Sequence, residues 1–132
     1  MKNCVFCKIA RKEISANIIA EESNFIAFLD NMPTNPGHTL VIPKKHYRWV
    51  WDVERFGDYA KFSRKIAKAL QKATGREWIV MGVAGNEIPH AHIHLVPRYE
   101  GDGHGGFIKT DIRRELSKSE MNGIAKKIRS FL

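Results

Sequence analysis

Apolar and polar positions alternate most strictly over Pro89-His90-Ala91-His92-Ile93-His94-Leu95-Val96. A β-strand sends successive side chains to opposite faces, so His90, His92 and His94 share one face while Ala91, Ile93 and Leu95 turn toward a core. Pro89 suits only the start of that strand, where no ladder donor is needed. A companion strand is expected over 77–84, with 85–89 as the connection. Upstream, brief apolar runs predict strands over 18–21 and 25–30, parted by the polar cluster Glu22-Ser23-Asn24, and a buried strand over 39–42 that stops at Pro43. Residues 4–13 read as a short helix or turn, and 31–37, with two prolines and a glycine, as a loop.

Two segments carry helical periodicity. The first runs from Asp52 as N-cap to Gly75, with Phe56, Tyr59, Ile66, Leu70 and Ala73 recurring on one face. The second opens with Ser117 and Glu120 as a capping box, flanked by Leu116 and Met121 as a hydrophobic staple. Met121, Ile124, Ala125, Ile128 and Phe131 then line its apolar face. Strands that are sequence neighbours, followed by a long helix and further strands, give an α+β domain built on an antiparallel sheet. No repeat or linker divides the 132 residues, so a single domain over 1–132 is expected, its core over about 4–100 and a C-terminal loop and helix over about 101–132.

Composition changes this picture little. No run approaches the ~18 apolar residues of a membrane span, and Met1-Lys2-Asn3-Cys4 opens no apolar leader. A soluble cytoplasmic protein with reduced thiols is the expectation. Cys4 and Cys7 are its only cysteines, and their close spacing suits metal ligation or redox chemistry better than a disulfide. The net charge of +8 attracts anions in general. Lys61, Arg64, Lys65, Lys68 and Lys72 share one helix face, and Lys126, Lys127 and Arg129 lie on another. With no aromatic residue interleaved among them, they read as a solvated surface rather than a nucleic-acid face, which stays the alternative.

Three imidazoles on one strand face compete for few hydrogen-bond partners, and each can act as metal ligand, nucleophile or proton carrier. The run His90-Ala91-His92-Ile93-His94-Leu95-Val96 resembles the motif of the histidine triad (HIT) nucleotide hydrolases and transferases. Cys4-Val5-Phe6-Cys7-Lys8-Ile9, Phe28-Leu29-Asp30 and Pro36-Gly37-His38-Thr39-Leu40-Val41-Ile42-Pro43-Lys44-Lys45-His46 resemble further segments of that family, in its order. The resemblance implies a five-stranded antiparallel sheet with a long central helix and a C-terminal helix, and a homodimer.

It also implies site residues. His92 matches the central histidine, which attacks the α-phosphorus to form a nucleotidyl-histidine that water then breaks. His94 would contact phosphate or leaving group, and His38 would orient the central imidazole or bind phosphate. Asp30 matches the carboxylate that accepts from the ribose hydroxyls of a purine nucleotide, with Phe6, Ile9, Ile14 and Phe28 around the base and Asn86 offering an amide to phosphate. In metal-bearing members a structural zinc takes the positions of Cys4, Cys7, His46 and His90.

The chain departs from the family where Gly85-Asn86-Glu87 stands in place of Gly-Gln-Ser or Gly-Gln-Thr: a carboxylate beside a phosphate site repels it unless turned away or protonated. The stretch Gly101-Asp102-Gly103-His104-Gly105-Gly106 lacks the Lys-Ser/Thr of a P-loop and reads as a flexible loop, with His104 a minor candidate. The reading implied is a hydrolase that cleaves the α-phosphate linkage of nucleoside phosphoramidate-type substrates and releases nucleoside monophosphate. The alternatives are a dinucleoside polyphosphate hydrolase or nucleotidyl transferase, or a zinc-stabilised nucleotide-binding protein with weak catalysis.

Overall fold

The computed structural model describes residues 3–132. A short helix α1 (Val5–Ala10) leads into the hairpin β1 (Ile18–Glu21) and β2 (Phe25–Leu29), then β3 (Thr39–Pro43), the long helix α2 (Phe56–Thr74), β4 (Ile79–Gly82), β5 (Ile93–Pro97) and α3 (Lys118–Arg129). The strands form one antiparallel sheet in the order β1-β2-β3-β5-β4. This is the expected five-stranded α+β arrangement. Among the described residues no helix is long and apolar enough to cross a membrane.

Side-chain parity sorts the core into two layers. Odd-numbered sheet residues Phe25, Ala27, Leu29, Val41, Ile93 and Leu95 pack beneath α2 and α3 through Tyr59, Phe62, Ile66, Leu70, Met121 and Ile128. Even-numbered Ile26, Phe28, Leu40 and Ile42 pack on the other face against Phe6 and Ile9 of α1. β2 and β3 are therefore buried at every position, which is why their sequences are unbroken apolar runs. Tyr59, inside the larger layer, donates its hydroxyl to the Val41 carbonyl at 2.6 Å, so its buried oxygen is satisfied.

Five expectations shift. α2 starts at Phe56 with Arg55 as N-cap, because Val50–Asp52 forms a 3-10 turn that tucks Val50 and Val53 into the core. Asp52 lies within that turn, and Phe56, expected on the buried face, is exposed. Phe131, beyond the end of α3, is also exposed. β5 begins at Ile93 rather than His90. Two steps beyond its last pair with β3 the register would bring Ala91 opposite Pro43, which has no N–H, and Ala91 N instead donates to the Tyr47 carbonyl at 2.7 Å. The glycine-rich loop is tied down rather than free. Asp102 accepts from Arg98 Nε and Nη2, Asn35 Nδ2 and the backbone N–H groups of Tyr99 and His104. The Arg98 guanidinium holds the Asp102 carboxyl well below the usual carboxylate range. Buried His104 donates Nε2–H to the Thr34 carbonyl and accepts from Lys109 N, so it staples this loop to the 31–37 segment.

The capping box at Ser117 and Glu120 forms as expected, with Met121 buried and Leu116 packed against the same layer. At the other end of α2, Gly75 takes φ +69° and its N–H bonds the Gln71 carbonyl, a left-handed stop that suits glycine.

Candidate functional site

The smaller layer leaves room for chemistry. His90 and His92 precede β5 while His94 lies within it, yet the parity of the strand persists through the extended approach. Ala91, Ile93 and Leu95 are buried in the helix-covered layer and the three imidazoles lie on the opposite face. Phe6 meets two of them edge-on, at 5.2 Å from His92 and 5.9 Å from His90 between ring centroids.

Backbone groups fix the tautomers along this face. His92 Nδ1 lies 2.8 Å from the His90 carbonyl, which can only accept, so Nδ1 carries the proton and the Nε2 lone pair is left free. Thr34 N donates to His38 Nδ1 at 3.1 Å, so His38 keeps its proton on Nε2 and passes a hydrogen bond to His94 Nδ1 at 2.9 Å. His94 must then carry its proton on Nε2, and that buried atom has no partner among the described residues. Burial, ahead of the charge of Arg113, pushes the pKa of His38 down to about 3. Burial, ahead of neighbouring His38, does the same to His94, also to about 3. Burial lowers that of His92 as well. The result is a row of neutral imidazoles offering one lone pair and one unpaired N–H, side by side.

Three cavities share walls here. A groove of about 560 Å³ is lined by Phe6, Ile9, Ile14, Phe28 and Asp30, which gathers the residues expected around a nucleoside. Ile14 sits at its rim, half exposed, while Phe6, Ile9 and Phe28 are buried. A cleft of about 70 Å³ brings together His92, His94, Asp30, Asn86 and Glu87. A third, of about 50 Å³, is walled by His38, His94, Gly82 and Phe107. The loop bearing Asn86 and Glu87 turns at Gly85, whose φ is +75° and whose Cβ, if present, would lie 2.6 Å from the Trp49 ring. Only glycine satisfies both conditions. The expected catalytic and nucleoside-binding residues thus converge from α1 and the segment after it, the end of β2, the residue before β3, the start of β5 and the 85–89 loop.

His90 belongs to a different cluster. Its Nε2 bonds the Pro43 carbonyl at 2.8 Å, which turns the Nδ1 lone pair toward Cys4, Cys7 and His46. Their donor atoms all lie within 4.8 Å of one another. Individual separations are 3.3 Å for Cys4 Sγ to His90 Nδ1, 3.3 Å for Cys7 Sγ to His46 Nδ1 and 3.2 Å between the two Nδ1 atoms. A tetrahedral zinc with ordinary Zn–S and Zn–N lengths spaces its ligands at about 3.3–3.8 Å. The four residues fit that shell, and the carbonyl behind His90 is the usual outer support of an imidazole ligand.

One side chain of the cleft went unnoticed in the sequence. Arg113, from the segment between β5 and α3, lines all three cavities. Its Nη1 lies 2.8 Å from the Met32 carbonyl and 3.3 Å from Asp30 Oδ2. The neighbouring Arg114 anchors that segment, bonding Pro33 O through its N–H, Thr34 O and Asn35 Oδ1 through Nε, and Asp102 O through Nη2. The Arg-Arg doublet is visible in the sequence, but no spacing rule returns it to the triad.

Residues 11–101 match the HIT domain family. Over 76% of its length the chain is 41% identical to an uncharacterized HIT-like protein of Methanocaldococcus jannaschii, spanning 82% of that protein. It is 37% identical to the adenosine 5'-monophosphoramidase HNT1 of Saccharomyces cerevisiae, over 72% of this chain and 62% of that one. Among solved structures, a HIT-like protein from Bartonella henselae superposes with a TM-score of 0.83 at 36% identity, covering 100% of this chain and 98% of its own. A zinc-bound histidine triad family protein from Mycobacterium smegmatis gives 0.81 at 28% identity, over 98% and 93%. With a domain match across most of its length and relatives of this likeness, the chain belongs to the HIT family.

Proposed function

We propose that the protein is a nucleotide hydrolase that cleaves the bond between the α-phosphate and its leaving group, with His92 as nucleophile. The carrying observation is the tautomer pattern: a free Nε2 lone pair on His92 next to an unpartnered Nε2–H on His94. In the first step Nε2 bonds to the α-phosphorus and the bond to the leaving group breaks, the departing group taking its proton from water. The His90 carbonyl, holding Nδ1–H, stabilises the positive charge the ring acquires. His94 donates its Nε2–H to the phosphate or leaving group, oriented by His38. Water then attacks phosphorus as the bond to His92 Nε2 breaks, its released proton neutralising the hydroxide left by the first step, so nucleoside monophosphate departs and His92 returns to neutral imidazole.

Asp30 would accept from the ribose hydroxyls, with the base against Phe6, Ile9, Ile14 and Phe28 and the Asn86 amide turned to phosphate. Phosphoramidate-type purine nucleotides are the favoured substrates, a reading supported by the likeness to a monophosphoramidase. Hydrolysis of dinucleoside polyphosphates uses the same attack with a different leaving group. A panel of adenosine phosphoramidate and diadenosine polyphosphate, with acid-quenched mass spectrometry for nucleotidyl-protein, is the test. Tight nucleotide binding without turnover of either would turn the reading to a binding protein.

Cys4, Cys7, His46 and His90 would hold a structural zinc that ties α1 to the approach to β5. We also propose a homodimer through the edge of β4, where exposed Trp78, Met81 and Val83 flank unpaired backbone. Light scattering should give twice the chain mass across a dilution series; a monomer's mass at high concentration overturns it.

A further inference from the structure

A nucleotide brings negative charge into this cleft, yet the walls supply little to meet it. Asp30 and Glu87 both line the triad cleft and the nucleoside groove. Among the described residues lining the three cavities, Arg113 is the one lysine or arginine.

Its resting position is informative. The guanidinium leans on Asp30, the carboxylate that ribose hydroxyls would claim, through one long contact rather than a paired fork. That ion pair is partly exposed, with side-chain accessibilities of 30% for Arg113 and 14% for Asp30, and such pairs are weak. Arg114, beside it in the chain, is locked to Pro33, Thr34 and Asn35, so the guanidinium is tethered close to the cleft whichever partner it takes.

We infer that Arg113 is the phosphate-binding cation of this site, and that it exchanges Asp30 for substrate phosphate when the ribose arrives. This inference rests on the reading of the triad face as a nucleotide site. It makes Arg113 a specificity-determining residue that selects nucleotides over nucleosides. A nucleoside has to displace the guanidinium from Asp30 and offers it nothing in return. A nucleotide displaces it and supplies a better, charge-assisted partner.

The test is calorimetric binding of adenosine, AMP and ADP to the wild type, Arg113→Ala and Arg113→Gln, with melting curves to check that the variants fold. The expected result is a contrast in sign. ADP weakens by about 10-fold or more in both variants, equivalent to roughly 1.4 kcal/mol, while adenosine binds unchanged or more tightly because Asp30 is uncovered. A loss of the same factor for adenosine and ADP assigns Arg113 to pocket shape alone and overturns the inference. So does no change for either ligand, or a wild type that binds adenosine as well as ADP. A wild type that binds none of the three removes the nucleotide reading itself, and the inference falls with it.

Discussion

The two faces of the sheet are built from the same strands and do opposite work. The odd face carries a broad apolar layer sealed by α2 and α3. The even face carries a small patch under α1, and beside it a row of buried histidines with an orphaned N–H. Unsatisfied buried groups are costly, and a fold tolerates them only where enough apolar burial exists elsewhere. The lesson is a division of labour within single strands: Ile93 and Leu95 stabilise while His92 and His94, one residue away on each side, are left poised.

The sharpest way to break that comparison is a pair of substitutions, one on each face. His92→Asn should reduce hydrolysis by on the order of 10³-fold or more, since it removes the nucleophile, with the melting temperature little changed. Leu70→Ala, at a fully buried position of α2, should lower stability by about 2–5 kcal/mol and leave turnover per folded molecule intact. Activity measured beside denaturant melts decides it. Unchanged turnover in His92→Asn would falsify the proposed mechanism.

Much of this arrangement was legible in the sequence, because the strict two-residue period of 89–96 encodes the face on which each histidine lies even where no ladder forms. The apolar runs of β2 and β3, the hairpin turn and the capping box of α3 were equally plain, each resting on local chemistry. What stayed hidden depended on distant partners. The start of α2 moved because Val50 and Val53 are drawn into the core. Asp102 turned a glycine-rich stretch into an anchored loop by meeting Arg98 and Asn35, and Arg113 reached the triad because Arg114 is tied to the 33–35 segment. Periodicity and capping rules read contacts within a few residues, and none of these is of that kind.

A second test asks whether the even face needs a metal to hold its edge. If Cys4, Cys7, His46 and His90 bind zinc, protein purified without added metal should contain about one ion per chain. Removing it should lower the melting temperature, at about 4 °C for each kcal/mol lost in a chain of this size. Metal analysis near zero, with no effect of a chelator on melting, would remove the site and leave His90 as a buried imidazole held by Pro43 alone.

Acid should separate the faces more gently. His38 and His94 stay neutral in the fold until about pH 3, whereas unfolded histidine takes up a proton below about 6.5. Across that window the unfolded state binds more protons, so stability present above pH 6.5 is lost as pH falls. The slope is at most roughly 1.4 kcal/mol per pH unit for each histidine, and His90 and His92, also lowered by burial, act with the same sign. Urea midpoints between pH 7.5 and 5 should fall steadily, and His94→Asn should flatten the trend. A profile level over that range would mean the imidazoles titrate in the fold as they do in the unfolded chain, and would contradict the neutral row on which attack by His92 depends.

The smallest effect concerns Glu87, which sets this chain apart from the usual serine or threonine. Its carboxylate lines both the nucleoside groove and the triad cleft, on an exposed loop. In a solvated position its repulsion of phosphate is of order 1 kcal/mol or less, so Glu87→Ser should raise kcat/KM by about 2- to 5-fold. Because that repulsion is screened, the gain should shrink as ionic strength rises from low salt to physiological levels. A gain independent of salt would point to shape rather than charge. A fall in kcat for Glu87→Ser, steepest with leaving groups that most need a proton, would mean that the carboxylate has taken over proton delivery. The even face would then hold an acid that the tautomer pattern of its histidines does not supply.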